Sequence, residues 1–266
     1  LALTGVTACR SASERARDHL ERGKAQLASG DARGAVLELR SAIQADPKLG
    51  AAHQALGEAY LLTNEPDRAL QSYVRAADLL PEQASTQLQA GGLLLLAGRY
   101  EDARARAEKV LESDPKNVPA LILRANALAR LTDIDGALTQ VEEAVRLDPT
   151  KAWSYTSLGE YQLAKGMREE AEATFARALT LEPQSVDARL SIAQFYLRAG
   201  EPSTAERYLT EALALAPGNL TVRRMLTVMY LEARRPEAAQ PHMQVLAERG
   251  DERTRLGLAD FYVAVR

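Results

Sequence analysis

The chain has 266 residues, of which 46% are hydrophobic, only 5% aromatic and 26% charged, with a net charge of −3. Mixed charges near neutrality lack the basic footprint of a nucleic-acid binder, and no apolar run approaches the ~20 residues of a membrane-spanning helix. Cys9 is the single cysteine, and His19, His53 and His242 are far apart, so neither an intrachain disulfide nor a metal-ligand spacing is available. No glycine-rich phosphate loop or serine nucleophile elbow occurs. The expectation is an Ala- and Leu-rich helical chain without cofactor, metal or catalytic group.

In chain order, residues 1–15 come first and read as a leader and linker. The opening LALTGVTACR fits no helical hairpin. Within it, Val6-Thr7-Ala8-Cys9 sets an apolar residue and two small ones ahead of the cysteine. This run resembles a bacterial lipobox. The resemblance implies a diacylglycerol on the Cys9 sulfur, cleavage of the bond before it, and a signal-peptide tail over Leu1 to Val6 whose start is missing. Several acyl chains on one residue hold a protein at a membrane durably. The implied location is a periplasm-facing lipoprotein of the bacterial envelope. Arg10, where an Asp is associated with inner-membrane retention, leans toward the outer membrane. The alternative is a cytoplasmic chain whose Cys9 carries no lipid.

From Ala16 onward a period governs the sequence. Pro47, Pro81, Pro115, Pro149, Pro183 and Pro217 each stand 34 residues from the next, and Ala35, Ala69, Ala103, Ala137, Ala171, Ala205 and Ala239 keep the same step. Six of the 11 prolines fall on one lattice, which chance does not arrange. Phasing on them sets seven repeats over 16–253, beginning at Ala16, Gly50, Ala84, Val118, Ala152, Val186 and Leu220. Each repeat reads as two amphipathic helices split by a turn.

In repeat two, Gly57 and Ala69 are small where two helix axes must approach, and Tyr60 and Tyr73 fill the space beside them. Pro81 ends the second helix, because proline lacks an amide donor and biases the preceding residue out of helix. Repeat three has Gln87, Ala90 and Ala107 where larger apolar residues are usual, which predicts looser packing. Arg22 and Arg124 stand where Leu is commoner; their stems can pack while the guanidinium reaches water. Residues 254–266 read as the first helix of an eighth repeat, with Leu258, Ala259 and Tyr262 in the signature positions. Phe261, Tyr262 and Val263 then lack a partner hairpin, and the expectation is that the natural chain continues.

The period, the small residues and the prolines together resemble the tetratricopeptide repeat family from about Ala16 to Asp251. The resemblance implies an all-α, right-handed α-solenoid of helix-turn-helix repeats, seven plus a partial eighth. It also implies a groove lined by the first helix of each repeat, where protein or peptide partners bind. Transferred onto this sequence, the groove positions give Leu88, then Ile122, Asn126 and Arg130, then Trp153 and Glu160, then Gln194 and Arg198. Gly92, Leu95 and Leu96 fall on the same surface. The Lys/Asn pattern by which some family members clamp a chaperone's C-terminal carboxylate is not restored in any three successive repeats.

The functional expectation is a non-enzymatic adaptor, lipid-anchored through Cys9, that assists envelope assembly or export by exopolysaccharide, pilus or secretin, or peptidoglycan machinery. The opening repeat most resembles repeat lipoproteins of exopolysaccharide and protein-sorting loci. Two alternatives stand beside it: the scaffold segment of a larger enzyme, and a cytoplasmic interaction module.

Overall fold

The computed structural model describes residues 11–249 and Gly257. The lipobox-like run, Cys9 and the partial eighth repeat apart from Gly257 lie outside the described residues. The chain divides into two compact units, Leu1–Leu147 and Asp148–Arg266. The first contains α1 (Ala12–Ala28), α2 (Ala32–Ala45), α3 (Gly50–Leu62), α4 (Pro66–Leu79), α5 (Ala84–Leu96), α6 (Tyr100–Ser113), α7 (Val118–Arg130) and α8 (Ile134–Leu147). The second contains α9 (Ala152–Ala164), α10 (Arg168–Leu181), α11 (Val186–Arg198), α12 (Pro202–Leu215), α13 (Leu220–Glu232) and α14 (Pro236–Arg249). No strand occurs among the described residues. Each unit is a stack of helical hairpins, an α-solenoid.

Two kinds of turn generate the stack. Within each hairpin, one residue past the first helix adopts a left-handed backbone: Gly30, Asn64, Gly98, Thr132, Gly166, Gly200 and Arg234. These residues recur at the 34-residue step. The amide of the next residue reaches back to the last turn of the helix, as in Asp31 N–H to the Gln26 carbonyl and Glu65 N–H to the Tyr60 carbonyl, both at 2.8 Å. This is a Schellman closure, which satisfies carbonyls the helix end would leave bare.

Between hairpins, the lattice proline follows a residue held out of helix: Asp46, Leu80, Asp114, Glu182 and Ala216 have φ between −142° and −123°. That is the region proline imposes on its predecessor. A tight turn then brings the chain to the next helix, as in Asn117 N–H to the Asp114 carbonyl at 3.1 Å. Asn117, Ser185 and Asn219 cap the following helices through their side chains, each contributing about 1 kcal/mol.

Packing explains the small residues. All seven lattice alanines, Ala35 to Ala239, are fully buried. Across the hairpin seam, a Cβ built on Gly23 would stand 2.6 Å from Leu39, and one on Gly159 would stand 2.7 Å from Phe175. A small residue on the first helix thus faces a large one on the second. Repeat three departs from this, since Ala107 stands where repeat two has Tyr73. The space over Gly91 is taken instead by Leu123 of α7, which crosses from the next repeat.

Gln87 is also fully buried. Its Nε2 donates to the Ala77 carbonyl at 2.6 Å, and its Oε1 accepts from Arg106 Nη1 at 3.3 Å. Arg106 in turn bonds Asp78 at 2.7 Å, so three helices share one polar chain whose buried member is satisfied. The two arginines in leucine positions also find partners across the seam: Arg22 Nε donates to Glu38 at 2.9 Å and Arg124 Nε to Gln140 at 3.0 Å.

Odd- and even-numbered helices occupy different sides of each stack. α1 packs on α3, α5 on α7, and α9 on α11, whereas no two even-numbered helices pack to the same extent among the described residues. The odd-numbered helices therefore form the inner, crowded side of each stack. The even-numbered helices stand apart on the outer side.

Candidate functional site

Every third and fourth residue of a helix shares a face. On the odd-numbered helices the face turned from the hairpin seam carries the positions expected to line a groove. In the first unit, Leu88 on α5 and Asn126 on α7 are half-buried, and Arg130 is exposed in the last turn of α7. Asn126 and Arg130 are one turn apart and share that face. Ile122, expected on the same surface, is only 7% exposed. Its side chain is sunk into the packing with Leu121 and Leu123, which are buried too, and offers almost no surface to a guest. Leu20 holds the equivalent register in α1 and is buried likewise. Leu88, one period before Ile122, is half-buried instead, so depth at this register varies from repeat to repeat.

In the second unit, Trp153 lies in the first turn of α9 with 38% of its surface exposed. Glu160 is exposed two turns further along the same helix. Glu160 accepts from the Ser191 hydroxyl of α11 at 2.6 Å, so its carboxylate is already oriented by the neighbouring repeat. Gln194 and Arg198 are exposed on α11, one turn apart.

The most exposed apolar side chains on the first unit's odd-numbered helices are leucines near the helix ends. Leu96 at the end of α5 is 85% exposed, and Leu62, one period earlier at the end of α3, is 61% exposed. Leu61 is 45% exposed and Leu95 is half-buried. Shifting Leu95 and Leu96 back by one period would have found the pair on α3. In water such leucines carry a cost that a partner's apolar surface removes, about 1.5–3 kcal/mol for each one fully buried.

Charges around these faces are mostly paired and solvent-exposed, and set orientation more than stability. Glu206 accepts from Arg235 at 2.8 Å and from the Tyr230 hydroxyl at 2.9 Å. The Arg235 bond, with help from Tyr230, holds the carboxyl below the usual carboxylate range. Burial, reinforced by the Glu206 bond, pushes the Tyr230 phenol up to about 12. This cluster ties α12 to α13 and the start of α14.

Comparison with known proteins agrees with the geometry. Family models described as tetratricopeptide repeat match residues 20–84 and 156–220, and residues 94–156 and 197–259. Over 150 residues the chain is 32% identical to superkiller complex protein 3 of Mus musculus, covering 54% of this chain and 10% of that protein. Over 118 residues it is 30% identical to DnaJ homolog subfamily C member 3 of Rattus norvegicus, covering 42% of this chain and 23% of that one. The chain thus spans a small part of the length of these relatives.

Among solved structures, a tetratricopeptide repeat protein from Parabacteroides merdae superposes with a TM-score of 0.74 at 16% identity, covering 93% of this chain and 98% of that one. PilF of Pseudomonas aeruginosa superposes with a TM-score of 0.57 at 20% identity, covering 80% and 97%. At such identities the likeness is one of fold. With repeat models matched over most of its length, the chain belongs to the tetratricopeptide repeat family, whose repeats are protein-interaction scaffolds.

Proposed function

We propose that this chain is a non-enzymatic adaptor that holds segments of partner proteins against the inner helices of its units. In this reading a lipid on Cys9 anchors it in a bacterial envelope, where it assists assembly or export. The observation that carries the adaptor reading is the repetition of large exposed leucines at one register, Leu62 and then Leu96. A stable helix gains nothing from them in water, and a partner's apolar side chain does. In this reading Leu88, Asn126 and Arg130 serve the same partner in the first unit. Trp153, Glu160, Gln194 and Arg198 offer an aromatic anchor and polar groups in the second, the mixture that recurs at binding hot spots. A relative whose name makes it a member of a complex, superkiller complex protein 3, supports the scaffold reading in general terms. The anchor rests on the Val6-Thr7-Ala8-Cys9 run alone.

Affinity capture from envelope membranes with the full gene product tests the adaptor. Leu62→Asp combined with Leu96→Asp is expected to release the captured proteins while the melting temperature stays within a degree or two, since both side chains are already in water. A capture profile identical to wild type would remove the inner face from the account. For the anchor, Cys9→Ser is expected to move the protein from the membrane to the soluble fraction. Equal partition of the two proteins would end the lipoprotein reading and leave the adaptor standing.

A further inference from the structure

On the outer side of the first unit, the separation of α2 from α4 opens a cleft of about 770 Å³. We infer that this cleft is a second binding site, distinct from the inner face, for a short acidic peptide segment carrying apolar side chains.

Its floor is Leu56 and Tyr60 of α3, with His53 at one end. Its walls include Leu37 and Arg40 of α2 and Arg68 of α4. Every lining side chain that carries charge near neutral pH is a base: Arg40 and Arg68. Arg68 is partly satisfied, donating to Glu65 at 2.5 Å while its guanidinium lies 5.7 Å from the Tyr60 ring centre. Arg40 makes no ion pair among the described residues and is exposed. Arg75, one turn beyond Gln71 on α4, adds its positive field at His53. A guest carboxylate thus meets an unpaired guanidinium in a positive cleft with an apolar floor, the complementarity that selects an acidic partner and rejects a basic one.

Repeat one is singular at these two positions. Leu37 is 67% exposed, and the equivalent residue in the later repeats is Gln71, Ala105, Thr139, Ala173, Arg207 or Pro241. At the Arg40 register, repeats three and four carry Glu108 and Glu142. The lipophilic wall and its cation are therefore specific to this hairpin, not a consequence of the repeat. From Leu37 to Gln44 the wall runs about 10 Å at ~1.5 Å per helical residue. That length accommodates about three residues of extended peptide at ~3.3 Å each.

The test uses a fluorescent pentapeptide, acetyl-Leu-Glu-Phe-Glu-Leu-amide, its lysine analogue, and phosphatidylglycerol vesicles, each titrated against the purified chain. The acidic peptide is expected to bind, with affinity falling as salt is added, and the lysine analogue is expected not to. Leu37→Asp and, separately, Arg40→Glu are expected to weaken binding about tenfold. Arg40→Gln is expected to lie between wild type and Arg40→Glu. All three leave thermal melting unchanged, because both side chains are exposed.

Leu62→Asp with Leu96→Asp is expected to leave peptide binding intact, which separates this site from the inner face. Equal binding of the lysine analogue, or no effect of the Leu37 and Arg40 variants, overturns the proposal. Binding to vesicles through Arg40 with no binding of the acidic peptide also overturns it, in favour of a lipid surface.

Discussion

Gly57 of α3 and Tyr73 of α4 meet face to face across the second hairpin, where a Cβ on the glycine would stand 2.6 Å from the tyrosine ring. Tyr73 is only 4% exposed, so the ring cannot swing into solvent without vacating the core. Alanine is ordinarily the better helix former by about 1 kcal/mol. Here the added methyl overpacks a closed seam, and Gly57→Ala is expected to destabilise by ~1–3 kcal/mol. A denaturant melt that shows Gly57→Ala equal to or more stable than wild type would mean the seam can open.

Two adjacent glycines on α5 sharpen the same argument. Gly91 faces Leu123, and an added Cβ would overlap its Cδ2, whereas Gly92 has nothing within 4 Å of where its Cβ would be. Gly91→Ala is therefore expected to lower stability by ~1–3 kcal/mol, and Gly92→Ala to raise it by up to ~1 kcal/mol through helix propensity. The opposite signs at neighbouring positions check the register of α5 directly. Melts in which both changes shift stability the same way would contradict it.

How much of this was legible in the sequence depends on where the cause of each feature resides. The hairpin seam was legible because it is local: Gly57, Ala69 and Tyr73 belong to one repeat, and steric need fixes their sizes. Lattice prolines were legible because proline acts on its own backbone. The left-handed turn lattice was half hidden. Gly30, Gly98, Gly166 and Gly200 display it, but Asn64, Thr132 and Arg234 occupy the same conformation without the residue that usually marks it.

Features that depend on the next repeat were out of reach. Leu123 fills the space left by Ala107 from a different hairpin, and nothing in repeat three announces it. Register alone puts Ile122 on the surface, and its burial depends on how deeply α7 sits among its neighbours. The outer cleft exists because α2 and α4 stand apart, a distance that no residue spacing encodes. Leu62 is the opposite case, since one step of 34 from Leu96 points straight to it.

Thr132 holds φ at +68° between α7 and α8. A β-branched side chain in the left-handed region costs ~1–2 kcal/mol, and the residue is exposed, so no packing compensates. Thr132→Gly is expected to raise stability by about 1 kcal/mol after allowing for the greater freedom of glycine in the unfolded chain. The converse change, Gly98→Ala at φ +75°, is expected to lower it by a similar amount. Thermal melts of the pair check both signs. A Thr132→Gly protein that melts lower than wild type would show that the threonine makes an interaction outweighing its strain.

His53 ties repeat one to repeat two, its Nε2–H donating to the Pro47 carbonyl at 3.0 Å. Burial lowers its pKa from the ordinary 6.5, the Arg75 charge lowers it further, and the Pro47 bond opposes both. His242 is also lowered, by burial first and then by Arg223. A depressed histidine binds fewer protons folded than unfolded, so the unfolded chain gains as protons are added. The cost is absent well above pH 6.5 and grows as pH falls through 6.5 toward the folded values. Carboxylates held low, such as Glu38 by His19 and Arg22, lose their contribution only as pH falls below about 4.5. The interval between those two limits therefore belongs to the histidines. His53→Gln, which keeps a donor for Pro47, is expected to shrink the loss of urea midpoint between about pH 7.5 and about pH 5.5. Adding His242→Gln is expected to shrink it further. Should the double variant lose as much stability over that interval as wild type, the buried imidazoles are not the groups that titrate.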